Sequence, residues 1–571
     1  MLTTRFLRGK RLAAITAAGL LAAGVAACSS SASSTPGASK SSSGGASNAT
    51  VVMESSPETT ITRDFNPFDQ KAPIQGMGAD GLIFEPLVMF NLANPSATPT
   101  PWLATASTWN AAGTEVTFTA RSGVKWSDGT PFTAADIAFT FNYVKANPAI
   151  NLGGDKIASA TSSGDTATVT FTSSQIANLQ NVEGQAIIEQ KQWSSITDPG
   201  TAVIANPVGT GPYIVSNFTA QGFTMAANPS YWQKVPVAKV FFPAYTTNTA
   251  AQNALYDGTI TWTGNFIQGV QQNFVAKDPA THHLDNFANS TVVLIPNMQK
   301  WPTSNLAVRE AIRDAVDRTQ ISTQGEDGQE TPQLNADALT SPLYTPWGTS
   351  GPTTAVSATA DIAKATADLT AGGFKKDSAG FYALNGKEAA LTIEDPTPYS
   401  DYAQDDTIIA SQLKAAGINA TVNDESTAAA WQTDLASGNF DLTVHWGNGG
   451  ITPYNMYDNW LDDTLIAGAN TSGDFGRFQS PAVQSDLAKL AMASTTTTQA
   501  AALAPILNIV ATQLPVIPLV GGAAWSQYNS SEFTGWPSAS NPYQSGQPSG
   551  SNNGPGSGTD EDVLLHLTPV S

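Results

Sequence analysis

The sequence predicts a mixed α/β protein. Three observations carry this: short runs that alternate apolar and polar residues, amphipathic stretches at helical spacing between them, and recognisable helix caps. Alternation marks strands at EVTFTA (115–120) and YIVSNF (213–218). Thr133 starts a helix, with Asp136 three residues on as the other half of a capping box. Ile137, Ala138, Phe141 and Val144 then share one face, which should pack on a sheet. A second helix runs through VREAIRDAVDR (308–318), where Val308, Ala311, Ile312, Ala315 and Val316 keep helical spacing and the charges lie opposite. A third carries Ile408, Ile409 and Leu413 and ends at Gly417, just before the strand-like INATV (418–422). The Gly/Ser/Pro-rich stretch 544–559 reads as a mobile loop, followed by a strand-like VLLHL (563–567). No solenoid-type repeat is visible.

A chain of 571 residues exceeds one hydrophobic core and calls for two or three lobes. Hydrophobic residues make up 41% and charged residues only 13%, a globular composition whose surface is solvated largely by neutral polar groups. With 26 Lys+Arg against 46 Asp+Glu, the formal charge of -20 repels phosphate backbones and excludes nucleic acid as a partner.

Residues 1–27 read as an export signal: Arg5, Arg8, Lys10 and Arg11 form a basic start, and Leu12 to Ala27 form an apolar, small-residue run. That run of about 16 residues is short of the roughly 20 that cross a bilayer. It ends in VAAC, which resembles the lipobox of bacterial lipoproteins and makes Cys28, the only cysteine, the expected lipidation site. Residues 28–49 would then be the acylated cysteine and a flexible Ser/Gly/Ala tether, holding the protein at the outer face of the cell membrane.

Six stretches stand out: GLIFEPLVMFN (81–91), VKWSDGTPFTAADIAFTFN (124–142), NPVGTGPY (206–213) with NPSYW (228–232), the 308–318 helix, DIAKATADLTAGGF (361–374) and GNFDLTVHW (438–446). Taken together they resemble the extracellular solute-binding proteins that include the oligopeptide- and dipeptide-binding components of ABC importers (family 5). The motifs read physically as structure: SDGTPF supplies a turn at Asp128–Gly129 and then a helix start. GTGPY is followed by a strand, where a phosphate cradle needs a helix N-terminus. The resemblance implies a two-lobed clamshell with an extra inserted domain. In that arrangement residues 50–82, 207–298 and 525–571 form a discontinuous lobe I, 83–206 an inserted domain II, and 299–524 lobe III. It also implies a monomer that takes a small solute by hinge closure and delivers it to ABC permease subunits.

No catalytic residue is expected. The four histidines lack metal-ligand spacing, no GxSxG elbow occurs, and neither metal nor cofactor is implied. The 46 acidic residues leave open a carboxylate pair acting on a glycosidic bond. For the solute, 13 tryptophans are the main clue. Trp262, Trp446 and Trp536 sit in sequence near Asn265, Asn448 and Asn541, a mixture that suits the apolar face and hydroxyl rim of a sugar. Trp525, Tyr454 and Tyr543 complete the expected ligand-binding set. Peptide binders of the family place a carboxylate shortly after the Trp-Gly of the third-domain strand, whereas here Trp446-Gly447 leads to Asn448 with no acid before Asp458. GWPSASNPY and GGITPYNMY resemble the family's cello-oligosaccharide-binding branch. A neutral, β-gluco-type oligosaccharide is the expected ligand, with an oligopeptide as the alternative.

Overall fold

The computed structural model describes residues 49–55, 61–69, 71–350, 355–466, 471–548 and 558–570. The export signal, Cys28 and the tether lie outside the described residues.

In chain order, β1 (Thr50–Glu54) opens the main sheet. A separate four-stranded antiparallel sheet follows: β2 (Ala104–Trp109), β3 (Glu115–Ala120), β4 (Ile157–Ser163) and β5 (Thr166–Phe171), in the order β2-β3-β5-β4. Helix α1 (Ala134–Ala146) packs on it, burying Ile137, Phe141 and Val144. Its capping box forms as the sequence predicts, with Asp136 accepting from the Thr133 amide at 2.9 Å. A short helix α2 (Leu179–Glu183) precedes the return to the main sheet through β6 (Tyr213–Thr219), β7 (Gly222–Ala227), β8 (Lys239–Pro243) and β9 (Trp262–Thr263).

The return is tight. A Cβ on Gly209 or Gly211 would stand 1.9 Å from the Ile83 carbonyl oxygen or 2.3 Å from that of Leu82, so glycine is the residue that lets the two segments touch. The GTGPY motif is thus a packing device.

The second half of the sheet is built from the long β10 (His282–Pro296), helices α3 (Leu306–Ala315) and α4 (Ile362–Ala371), β11 (Ala390–Ile393), α5 (Ser400–Ala416), β12 (Asn419–Val422) and β13 (Leu442–His445). Then come α6 (Tyr454–Leu461), α7 (Thr496–Gln513), the long β14 (Ile517–Asn529) and a final helix α8 (Thr559–His566). The main sheet has eleven strands in the order β12-β11-β13-β10-β14-β9-β1-β8-β7-β6, with the short strand Thr331–Pro332 beside β14. β10 and β14 form an antiparallel ribbon joining the two halves. One apolar core runs from Val51 to Leu567 under the first half and the four-stranded sheet, and two others flank the second half.

Three expectations need correction. VLLHL is helical, because Asp560, Glu561 and Asp562 stabilise the start of α8 and Val563 and Leu564 then face the core. The helix expected over 308–318 stops at Ala315: Val316 is extended, and the Asp317 side chain caps a new turn by accepting from the Gln320 amide at 2.8 Å. The start of the 544–559 stretch is packed, with Gln544, Ser545 and Gly546 all buried.

Candidate functional site

Glu54 ends β1 beside Thr263 of β9, and Thr263 pairs with Gln527 of β14, so the three side chains share one sheet face. Glu54 Oε2 accepts from Thr263 Oγ1 at 2.7 Å and from Asn265 Nδ2 at 2.5 Å. Gln527 Nε2 donates to the Asn265 carbonyl at 3.0 Å. Trp525 lies two residues before Gln527 on the same face, its ring edge-on to Phe266 at 6.3 Å.

The segment 326–330 closes on this row from the second half of the sheet. Glu330 Oε1 accepts from the Ala523 amide at 2.7 Å, Gln329 Nε2 donates to the Ile267 carbonyl at 3.2 Å, and the Gly269 amide donates to Asp327 Oδ2 at 2.7 Å. Beyond Glu330 lie Glu326 and, from the first turns of α5, Asp401, Tyr402 and Asp405, all buried. Tyr402 stacks on Trp446 at 6.5 Å, and Trp446 also meets His445 at 4.3 Å and Trp431 at 5.8 Å. On a further edge, the loop after Trp446 is held by Tyr344, whose hydroxyl donates to the Gly450 carbonyl at 2.8 Å. The same loop is clasped from α2, where Gln180 Oε1 accepts from the Ile451 amide at 2.9 Å.

The result is a buried polar cluster with a strong bias. Glu54 Oε1, Gln329 Oε1, Glu330 Oε2 and Gln527 Oε1 are buried acceptors without a hydrogen-bond partner in the protein, and Trp525 Nε1 is the corresponding donor. No ion pair among the described residues reaches Glu54, Glu326, Glu330, Asp401 or Asp405. Burial therefore raises their proton affinity. Glu54 is pushed up to about 7 despite bonds from Thr263 and Asn265. Glu330 rises to about 8 and Asp401 to about 6, again through burial first. Glu326 and Asp405 rise well above the carboxylate range through burial; their carboxyls face each other, and only a proton held between them lets them bond.

Of the residues the sequence singles out, Asn265 and Trp525 stand in this cluster and Trp446 stands at its edge. Asn448 and Tyr454, both half-buried, lie on the loop and helix beside Trp446. The others do not join them. Trp262 is wholly buried on the opposite strand face, its Nε1 donating to the Gly546 carbonyl at 2.8 Å. Trp536 packs against it at 5.5 Å and stacks on Tyr528 at 4.7 Å. Both rings are covered by protein in this structure, where they pack on each other and on Tyr528. Asn541 is exposed in a turn with Ser538, and Tyr543 bonds the Gly535 carbonyl at 2.8 Å and lies against His566.

Sequence reasoning missed Glu54, Gln329, Glu330, Gln527 and Tyr402. One signal was available: Asp401 and Asp405 fall at helical spacing with Ile408 and Ile409, placing acids on an apolar face. Among the described residues no group of three or more His, Asp or Glu side chains has metal-holding geometry, and no helix is long and apolar enough to cross a membrane.

Comparison with known proteins places this architecture. Residues 98–467 match the model of bacterial extracellular solute-binding proteins, family 5 Middle. Protein XP55 of Streptomyces lividans is 27% identical over 332 residues, which cover 56% of this chain and 57% of that protein. The fold is similar to that of a periplasmic oligopeptide-binding protein of Thermotoga maritima solved with mannohexaose bound (TM-score 0.79, 24% identity, 91% of this chain and 98% of that one). It is also similar to the oligopeptide-binding protein AppA of Bacillus subtilis in complex with a nonapeptide (TM-score 0.73, 16% identity, 91% and 99%). At these identities the likeness to the solved structures is one of fold: a two-lobed binding protein with an extra domain. The family match spans well over half of the sequence, and the chain belongs to the bacterial extracellular solute-binding proteins of family 5.

Proposed function

We propose that the protein is the solute-binding component of an ABC importer, not an enzyme, and that it takes an oligosaccharide between its lobes and hands it to a membrane permease. A lipid on Cys28 would anchor it, and the lobes would divide at the boundaries the sequence suggests: 50–82, 207–298 and 525–571 for lobe I, 83–206 for the inserted domain and 299–524 for lobe III. The observation that supports the reading is the buried polar cluster in which acceptors on Glu54, Gln329, Glu330 and Gln527 lack a partner in the protein and Trp525 stands on the strand face of Gln527.

A sugar supplies what such a cluster lacks, a rim of hydroxyl donors and an apolar face for an indole. One ring face stacked on a pyranose contributes roughly 2 kcal/mol before closure costs. The mannohexaose bound to the Thermotoga protein supports this class of ligand within the fold. A β-linked glucose oligomer is the first candidate, from the GWPSASNPY and GGITPYNMY stretches. The peptide reading rests on the nonapeptide bound by AppA, and on Glu54 and Glu330 as carboxylates that could replace the acid missing after Trp446-Gly447.

The test is thermal stability of the protein with cello-oligosaccharides, other neutral sugars and a peptide mixture. Ligand at a hundred times its dissociation constant adds about 2.7 kcal/mol to the folded state. A shift with gluco-oligosaccharides supports the reading, a shift with peptides alone replaces the ligand, and no shift with any of them removes both. Trp525→Ala should weaken sugar binding about tenfold, while Trp262→Ala should unfold the protein, at about 3–5 kcal/mol, before it reports on binding.

A further inference from the structure

The loop 447–453 joins β13 to α6, and its two ends are anchored in the second half of the sheet. Trp446 packs against both cores that flank that half, and Tyr454 against one of them. Ile451, between these anchors, does the opposite. Its side chain packs against the core of the first half, and among the described residues between Trp262 and Tyr528 it is the only apolar one to do so.

The loop is built to hold Ile451 in that position. Tyr344, fully buried, donates its hydroxyl to the Gly450 carbonyl at 2.8 Å and accepts from the Gly450 amide at 3.0 Å. A Cβ on Gly449 would collide with the Asn289 side chain, so glycine lets the loop press against β10. The Ile451 amide then donates to Gln180 Oε1 of α2 at 2.9 Å. Leu179 and Val182 of the same short helix pack in the core that Ile451 joins. One residue thus crosses from one half to the other by a backbone bond and an apolar side chain together. Both contacts are protein to protein, and a movement that parts α2 from the loop must break them at once.

We propose that the loop 447–453 is a latch, with Ile451 as its bolt and Gln180 as its catch, and that its release sets the rate at which solute enters and leaves. The latch stands on these contacts alone; the kinetic part rests on the solute-binding reading above. The latch holds the protein equally with and without solute, so weakening it raises the association and dissociation rates together and leaves the affinity nearly unchanged.

The first measurement is amide hydrogen exchange by mass spectrometry on the full chain without added solute. Ile451→Ser and Gln180→Ala should each speed exchange across 447–453 by about tenfold while β11 and α3 keep their rates, and Ile451→Val should stay within about threefold of the parent. Gln180→Ala gives the same reading where Ile451→Ser does not fold. Exchange across 447–453 that is unchanged in both variants, or that rises no more than in β11 and α3, overturns the latch.

The second measurement is stopped-flow tryptophan fluorescence with cellotetraose and with a tetrapeptide. For whichever binds, Ile451→Ser should raise both rate constants about tenfold and leave Kd within about threefold. A rise in the dissociation rate alone overturns the kinetic part. Silence from both ligands overturns it together with the solute-binding reading, while the exchange result still decides the latch.

Discussion

The carboxylates of α3 and those that face β14 belong to the same half of the sheet and behave in opposite ways. Asp314, on α3, is bonded by Arg313 Nη2 at 2.7 Å and by Lys364 Nζ of α4. Burial would raise its proton affinity, but those bonds outweigh burial and hold it below the usual carboxylate range. Glu326, Glu330 and Asp405 have no such partners and shift upward. Cations are available nearby: Arg318 is fully buried, but it is spent on carbonyl oxygens, including Pro518 at 2.7 Å and Ser357 at 3.0 Å. The difference teaches what a nearby cation does for a buried acid. Paired acids hold helices together, and acids without a cation in the interior hold protons instead.

The largest effect that separates the two settings is that of pH. Glu330 has a folded value of about 8 against an ordinary 4.5, so its contribution to stability is complete below about 4.5 and is lost as pH rises through 8. Glu326, Asp401 and Tyr402 face it, and the first two push the same way. The ligand-free protein should therefore lose on the order of 4 kcal/mol between pH 5 and 8.5, read from urea unfolding at both values. A curve that is flat or rises with pH would break the comparison.

Next in size is a pair of substitutions with opposite signs. At pH 8, Asp405→Asn should stabilise the ligand-free protein by about 2 kcal/mol, because the neutral amide ends the contest with Glu326. Asp314→Asn should destabilise it by about 1 kcal/mol, because Lys364 is half exposed and solvent screens part of the pairing. The same sign for both would mean that pairing does not distinguish the regions. The smallest effect sharpens the contrast. Lys364→Ala should cost about 0.5 kcal/mol in dilute buffer and nearly nothing in about 1 M salt, while the pH dependence assigned to Glu330 should survive the salt.

The sequence was most legible where structure is local. The Thr133–Asp136 cap, the end of α5 at Gly417 and the turn at Asp128–Gly129 depend on residues within a few positions of one another. It was least legible where a side chain's fate hangs on strand pairing. Trp262 and Thr263 are adjacent, yet one is sealed in the core and the other joins the polar cluster, a choice made by the register of β9 with β1 and β14. Trp536 looked like a platform for the same reason Trp525 did, its company in the sequence; Trp525 stands on the face of β14 that carries Gln527, whereas Trp536 packs on Tyr528 of the other face. Glu54, Glu330 and Gln527 stand far apart in the chain and carry no motif, and it is the sheet order that brings them together.

The way the first half of the sheet is closed has a consequence for the order of events during synthesis. Glu85 and Glu561 share the indole N–H of Trp102 and the hydroxyl of Tyr231, Asn91 donates to the Pro542 carbonyl, and Trp262 donates to that of Gly546. Each clasp joins an earlier segment to the loop after β14 or to α8, which leave the ribosome late. No vectorial route can complete this half, because β9 lacks its β14 neighbour until nearly the whole chain exists. This half of the sheet must therefore wait unfinished while the chain is being made, a slow closure of high contact order.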